Sequence, residues 1–294
     1  MTLVSLVGSF LAGVAVSALL WRAAQAVFDH PVLRRENVRG LSVPTAGGLV
    51  LVLACFVPVA AVQLAWLARW TGVPIELRLG WQPTLVAVLG FGLLGLVDDL
   101  IGDHGSRGFT GHLRSLASGT LTTGALKLIG GGVVAFIATV QTGVLVELGW
   151  QLVVDVALVA LAANLANLFD RAPGRLTKVA VIAAVVLVAV GPWSVVEGDG
   201  LRSPPVAALF VVGSAVGLLV PELREQIMLG DTGANAVGAA LGLGVVMALD
   251  EHARVGVMVV LLVLNLVSER ISFSRVIGST PGLSHLDRWG RASG

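Results

Sequence analysis

Nine apolar runs, nearly empty of charge, follow one another along this chain: Leu3–Leu20, Gly47–Trp66, Thr84–Val97, Gly124–Val140, Leu152–Leu168, Val179–Trp193, Val206–Val220, Ala234–Leu249 and Val255–Val267. A helix needs about 20 residues to cross the hydrocarbon core of a bilayer. Several runs are shorter, so their helices are expected to reach into the flanking polar residues. The expectation is an all-α polytopic membrane protein with about nine transmembrane helices. It forms one integral membrane domain over residues 1–294, with a C-terminal tail at 271–294. Apolar residues make up 56% of the 294-residue chain and charged residues 13%, too little polar surface for a soluble domain of this size. The opening MTLVSL has no basic residue before its apolar run, so no cleaved leader is expected.

The placement of charge gives the orientation. With the N-terminus outside, the inner loops and span ends hold Arg22, Arg34, Arg35, Arg39, Arg107, Arg114, Lys127, Arg171, Arg175, Lys178, Arg224, Arg270, Arg275, Arg288 and Arg291. The outer loops hold Arg69, Arg78, Arg202 and Arg254. Fifteen against four is a strong bias toward positive charge inside, and an odd number of spans puts the C-terminus in the cytoplasm.

That orientation gathers the acids. Asp98-Asp99, Asp170, Asp231 and His285 come from four places in the chain and all fall on the cytoplasmic side. A carboxylate at the rim of a bilayer is costly and marks a functional site by default. Two adjacent carboxylates also repel unless a cation or proton lies between them. Metal, phosphate or proton chemistry at the membrane surface follows. Transport is disfavoured, because transporter acids tend to sit near the midplane within internal repeats. Asp155 and Asp250-Glu251 fall toward the other side and read as interfacial or loop residues.

Two segments frame the candidate site. Asn164, Asn167 and Asp170 are spaced by three, so they share one broad helix face. They either line a cavity at the inner surface or hydrogen-bond between helices, as asparagine does in membranes. Asp231 sits in Met228-Leu229-Gly230-Asp231-Thr232-Gly233, at the start of a helix running outward. The free N–H groups of that helix end favour an anion such as phosphate. Asp231 is either a hard oxygen ligand for Mg²⁺ or a cap on its own helix.

Other features carry less. Val43-Pro44-Thr45-Ala46-Gly47-Gly48 reads as a turn at a span entrance. Gly90 to Gly95 fits the dinucleotide-binding pattern, but it lies inside an apolar span, where glycines pack helices. His104 and His112 flank a Gly- and Arg-containing loop. Cys55, the single cysteine, reads as a buried bystander. No spacing points to zinc, and no basic patch points to nucleic acid.

Four of these motifs, in this order, resemble those of the polyprenyl-phosphate N-acetylhexosamine-1-phosphate transferases. That family includes phospho-N-acetylmuramoyl-pentapeptide transferases and the related GlcNAc-1-phosphate transferases. Pro44-Thr45-Ala46-Gly47-Gly48 is similar to its Pro-Thr-Met-Gly-Gly segment. Gly95-Leu96-Val97-Asp98-Asp99 is similar to its aspartate pair. Asn164 to Asp170 resembles its Asn-x-x-Asn-x-x-Asp motif, and Leu229 to Gly233 its Gly-Asp-x-Gly motif. Lys127 falls where the family has a lysine opening the fourth span.

The resemblance implies a multi-pass protein of the bacterial cytoplasmic membrane that transfers phospho-sugar from a UDP-sugar to a polyprenyl phosphate. It implies Asp98, Asp99 and Asp231 as catalytic residues, with Mg²⁺ on Asp231. Lys127 would attract the lipid phosphate, while Asn164, Asn167, Asp170, Arg171 and His285 would bind substrate. A homodimer is implied in the same way. Two departures stand out. The family continues its third motif as Asp-Gly-x-Asp-Gly, whereas this chain has Asp170-Arg171-Ala172-Pro173-Gly174. Its last cytoplasmic loop is histidine-rich, whereas Ser279 to Arg288 holds only His285. Arg171 and Arg175 are then expected to form a different phosphate or carboxylate clamp. The alternative reading is a catalytically divergent polyprenyl-phosphate-binding or scaffold protein of envelope assembly.

Overall fold

The computed structural model describes residues 2–37, 39–73, 80–101, 123–143, 149–194 and 202–291. His104 and His112 lie outside the described residues. A helix stands at each expected span, and the chain is mostly helical. In chain order the helices are α1 (Thr2–Phe28), α2 (Gly48–Ala54), α3 (Phe56–Leu67), α4 (Trp81–Ile101), α5 (Thr123–Val140), α6 (Trp150–Phe169) and α7 (Arg175–Val190). They continue as α8 (Val206–Gly217), α9 (Leu219–Leu223), α10 (Gly230–Ala248), α11 (Glu251–Ser268), α12 (Phe273–Ser279) and α13 (Pro281–Arg288). Among the described residues, six helical stretches are long and apolar enough to cross a membrane: α1, α2 with α3, α4, α6, α10 and α11. α5 and α8 are shorter apolar helices.

Two expected spans are interrupted, and a proline explains each. Pro58 has no N–H for the carbonyl of Ala54, and the second span breaks at Cys55. Pro221 does the same to Gly217, and the break falls at Leu218. The all-α expectation needs one correction. Arg34–Glu36 (β1) and Ser42–Pro44 (β2) pair antiparallel, with Arg35 opposite Val43. The Asn37 side-chain oxygen closes their turn by accepting from the N–H groups of Arg39 and Leu41.

α10 is the axis of the bundle. It packs against α2, α4, α6, α7 and α8, and nearly all of its residues from Thr232 to Ala248 are buried. A helix that is apolar on every side belongs in the centre of a bundle. Small residues allow the neighbours to come close. A Cβ on Gly95 of α4 would lie 2.2 Å from the Asp231 carbonyl oxygen, and one on Gly48 of α2 would lie 2.1 Å from the Gly233 nitrogen. The expected packing role of the Gly90–Gly95 stretch is therefore met.

At the far end, Arg254 of α11 and Asp155 of α6 form a buried ion pair. The sequence placed Asp155 at an interface, but its carboxylate is enclosed between two helices. Asp250 caps α11, accepting from the Ala253 N–H at 3.0 Å.

Candidate active site

The site is built where four helices end or begin at one end of the bundle. α4 ends with Asp98 and Asp99, α5 begins near Lys127, α6 ends at Asn167, and α10 begins at Asp231. The Lys127 ammonium donates to Asp98 Oδ2 at 2.9 Å and also to Asp231 Oδ2. Asn167 Nδ2 donates to the same Asp231 oxygen at 3.0 Å. The side chains of Asp98, Lys127 and Asp231 remain 29%, 24% and 25% exposed, so a ligand can reach all three.

The two adjacent aspartates do different work. Neighbouring residues on a helix point about 100° apart, so Asp98 and Asp99 face different partners. Asp99 Oδ1 accepts from the Asp231 N–H at 3.0 Å. Asp99 Oδ2 accepts from the Thr232 N–H at 3.0 Å and the Thr232 hydroxyl at 2.6 Å. Thr45 donates to Asp99 Oδ1 at 3.4 Å. Asp99 thus caps α10 from another helix. The anion expected at the start of α10 is this internal carboxylate, whose charge suits the positive end of the helix. Asp231 does not cap its own helix, and its side chain turns toward Lys127 and Asn167.

The turn before α10 makes the cap possible. Gly230 adopts φ +66°, and a Cβ there would come within 2.6 Å of the Asp99 carboxylate. The Pro44–Gly48 segment is more than a turn, because its backbone is sewn to residues 228 and 229. The Met228 N–H donates to the Pro44 carbonyl at 2.8 Å. The N–H groups of Gly47 and Gly48 donate to the carbonyls of Met228 and Leu229, both at 2.9 Å.

The asparagine motif divides as well. Asn164 Nδ2 donates to Asn265 Oδ1 of α11 at 2.6 Å, and Asn265 Nδ2 donates to the Leu261 carbonyl at 2.8 Å. Asn164 therefore joins helices, whereas Asn167 reaches Asp231. Asp170 follows as the residue ending α6. Burial pushes its carboxyl well above the usual carboxylate range. The nearby carboxylates of Glu222, Asp231 and Asp99 add to the effect, and Arg175 opposes it. Glu222, which the sequence reading passed over, is buried and is pushed up to about 7 by burial, against hydrogen bonds from Gly174 and Thr177.

The arginine clamp holds a carboxylate of the chain itself. Arg175 Nε and Nη2 grip Asp287 Oδ1 and Oδ2 at 2.8 and 2.9 Å, and Nη1 donates to Ser274 at 2.7 Å. Lys178 donates to the carbonyls of Leu286, Asp287 and Trp289. These bonds dock α12 and α13 against the start of α7. Arg171 and His285 are both exposed, and no hydrogen bond joins either side chain to the Asp98–Lys127–Asp231 cluster among the described residues. Asp287 lies two residues beyond His285 and carries the docking, yet nothing in the sequence reading marked it out. Thr45 and Thr232 lie within sequence motifs, and their hydrogen bonds to Asp99 follow from the packing of α4 and the Pro44–Gly48 segment on α10.

Oxygen donors that converge on a single positive charge match what Mg²⁺ asks of a protein, one or two carboxylates with substrate phosphates completing the shell. Asp231 and Asp98 already point oxygens at one point, now held by the Lys127 ammonium. Among the described residues no group of three or more His, Cys, Asp or Glu side chains stands ready to hold a metal without substrate.

The family described as glycosyl transferase family 4 matches residues 81–249, which include α4 through α10. The phospho-N-acetylmuramoyl-pentapeptide-transferase of Shouchella clausii is 29% identical over 245 residues, covering 80% of this chain and 71% of that protein. The protein of the same name from Moorella thermoacetica is 28% identical over 270 residues, covering 87% and 79%. That from Halalkalibacterium halodurans is 24% identical over 238 residues, covering 78% and 69%.

Proposed function

The chain belongs to glycosyl transferase family 4, and from that premise we propose that it transfers a phospho-sugar from a UDP-activated amino sugar to a polyprenyl phosphate. The reaction takes place at the cytoplasmic face of the bacterial plasma membrane. An oxygen of the lipid phosphate attacks the β-phosphorus of the UDP-sugar. The bond from that phosphorus to the UMP oxygen breaks, and UMP leaves with its electron pair. The products are a polyprenyl-diphosphate-sugar and UMP. The observation that carries this reading is the convergence of Asp98, Asp231 and Asn167 on Lys127 at one end of the bundle.

Phosphoryl transfer asks mainly for positioning and charge stabilisation. In this reading Lys127 draws the lipid phosphate toward the site, and Asp98 orients the ammonium. Asn167 holds Asp231 in place with its amide. Asp231, with Asp98 beside it, would hold Mg²⁺, which when bound supplies charge neutralisation for the diphosphate and the departing UMP. Asp99 keeps the α10 terminus, and so Asp231, in register. Asp170 would serve the nucleotide side. Arg171 and His285, both exposed, would meet the donor as it enters.

The test is UMP release with purified protein, a polyprenyl phosphate and Mg²⁺, run separately with UDP-GlcNAc and UDP-MurNAc-pentapeptide. Turnover with one donor, lost in Asp231→Asn, is the expected result. No UMP from either donor, or equal rates in wild type and variant, overturns the proposal.

A further inference from the structure

Of the C-terminal helix pair, the proposed chemistry uses only His285. α12 and α13 are fixed to the bundle by one face only. On α13 the protein-facing positions are Ser284, buried, and Asp287, gripped by Arg175 and Arg291. At about 100° per residue, Gly282 and Leu286 fall on the side turned away from the bundle, Leu283 lies at the edge beside Asp287, and Trp289 follows just past the helix end. Leu283, Leu286 and Trp289 are 47%, 45% and 68% exposed. Val276 of α12 and Ile271 before it are exposed as well.

Two observations say what covers this face. The first is continuity. α11 is a spanning helix whose Val259, Val260, Leu262, Val263 and Leu266 are exposed, and on such a helix exposed apolar side chains face lipid. The apolar surface then carries on through Ile271 and Val276. The second is charge. Arg270, Arg275 and Arg288 are exposed along the same stretch, while Glu269 is its exposed acid and Asp287 is already neutralised from both sides. A short helix with a large apolar side chain set, a tryptophan at its end and arginines at its flanks suits the headgroup layer of a membrane.

We propose that residues 270–289 are not a free tail but an interfacial anchor. Leu286 and Trp289 enter the acyl boundary with Leu283 at its edge, and Arg270, Arg275 and Arg288 engage anionic phospholipid headgroups. Because Arg175 and Lys178 tie α13 to the segment just after Asp170, the anchor also sets the height of the site mouth at the headgroup layer. This stands apart from the transfer reaction and holds even if the chain turns nothing over.

The test uses the full chain in nanodiscs, with Gly282→Cys in a Cys55→Ser background and an environment-sensitive fluorophore on the new thiol. A side chain at 282 meets nothing within 4 Å and points with the apolar face. Gly256→Cys in α11, also unobstructed, gives the reference for lipid. The expected result is blue-shifted emission at 282, quenched by nitroxide lipids and weakly by aqueous iodide. Raising the anionic lipid content should deepen the quenching, and Arg270→Gln, Arg275→Gln and Arg288→Gln together should abolish that dependence, at roughly fivefold in partitioning per arginine. Water-like emission with full iodide access overturns the proposal. So does lipid-independent shielding that appears only as protein concentration rises, which would make the occupant a second copy of the chain.

Discussion

At the scale of single residues, the aspartate pair carries the main distinction. Asp98 faces Lys127, and Asp99 faces the first N–H groups of α10. Asp99→Ala should therefore lower stability by about 1–3 kcal/mol, the cost of uncapping a helix and leaving buried donors unmet. Thermal unfolding in detergent reads this out. Asp98→Asn should leave the melting temperature nearly unchanged and slow turnover at least tenfold. The reverse pattern would exchange the two roles. The sequence displays the pair plainly but not the direction of either side chain, because that depends on how α4 meets α10. Asn164 and Asn167 behave alike in this respect. Asn164→Leu removes one interhelical bond and should cost about 0.6 kcal/mol with activity retained, whereas Asn167→Leu should remove activity. Glu222 makes a prediction in pH. Its folded-state value of about 7 lies above the ordinary one of 4.5, so the native protein holds a proton that the unfolded chain has lost. Stability should then fall as pH rises from about 4.5 through 7, and Glu222→Gln should flatten that slope in melting curves taken across the window.

At the scale of elements, the site depends on how closely α10 is approached. Gly48 and Gly95 let α2 and α4 touch its first turn, and a methyl group at either would collide with backbone atoms that have no room to move. Gly48→Ala should reduce the yield of monodisperse protein sharply, while Gly132→Ala on α5, where a Cβ meets nothing within 4 Å, should not. Equal yields would contradict this packing. The sequence shows the helices through their apolar length, and prolines at 58 and 221 mark where two of them break. The β1–β2 hairpin is hidden, since three-residue strands carry too little pattern to register. The docking of α13 is hidden for another reason. Arg175 and Asp287 are far apart in the chain, and the sequence offered Arg175 only as a clamp for a phosphate or carboxylate from elsewhere. The carboxylate proved to be internal.

At the scale of the whole molecule, the chain is a multi-pass helical membrane protein with Asp98, Asp99, Asp170 and Asp231 gathered at one end. From the distribution of arginine and lysine along the sequence we propose that this end faces the cytoplasm. In intact cells, Glu36→Cys on the site end should resist a membrane-impermeant maleimide, and Thr71→Cys on the far end should react. The opposite labelling would invert the protein. The gathering of Asp98, Asp231, Lys127 and Asn167 was legible because orientation and motif order both pointed to one face, whereas the division of labour within it required the packing of α10 against its neighbours. We propose that this cluster moves a phospho-sugar onto a lipid phosphate. A donor labelled in its β-phosphate tests it most directly, with polyprenyl phosphate and Mg²⁺ present. Label should appear in the lipid fraction with one equivalent of unlabelled UMP for each, and neither product should form with Asp231→Asn. Label that stays wholly in the aqueous phase with the wild-type protein, or that reaches lipid equally with Asp231→Asn, would contradict it.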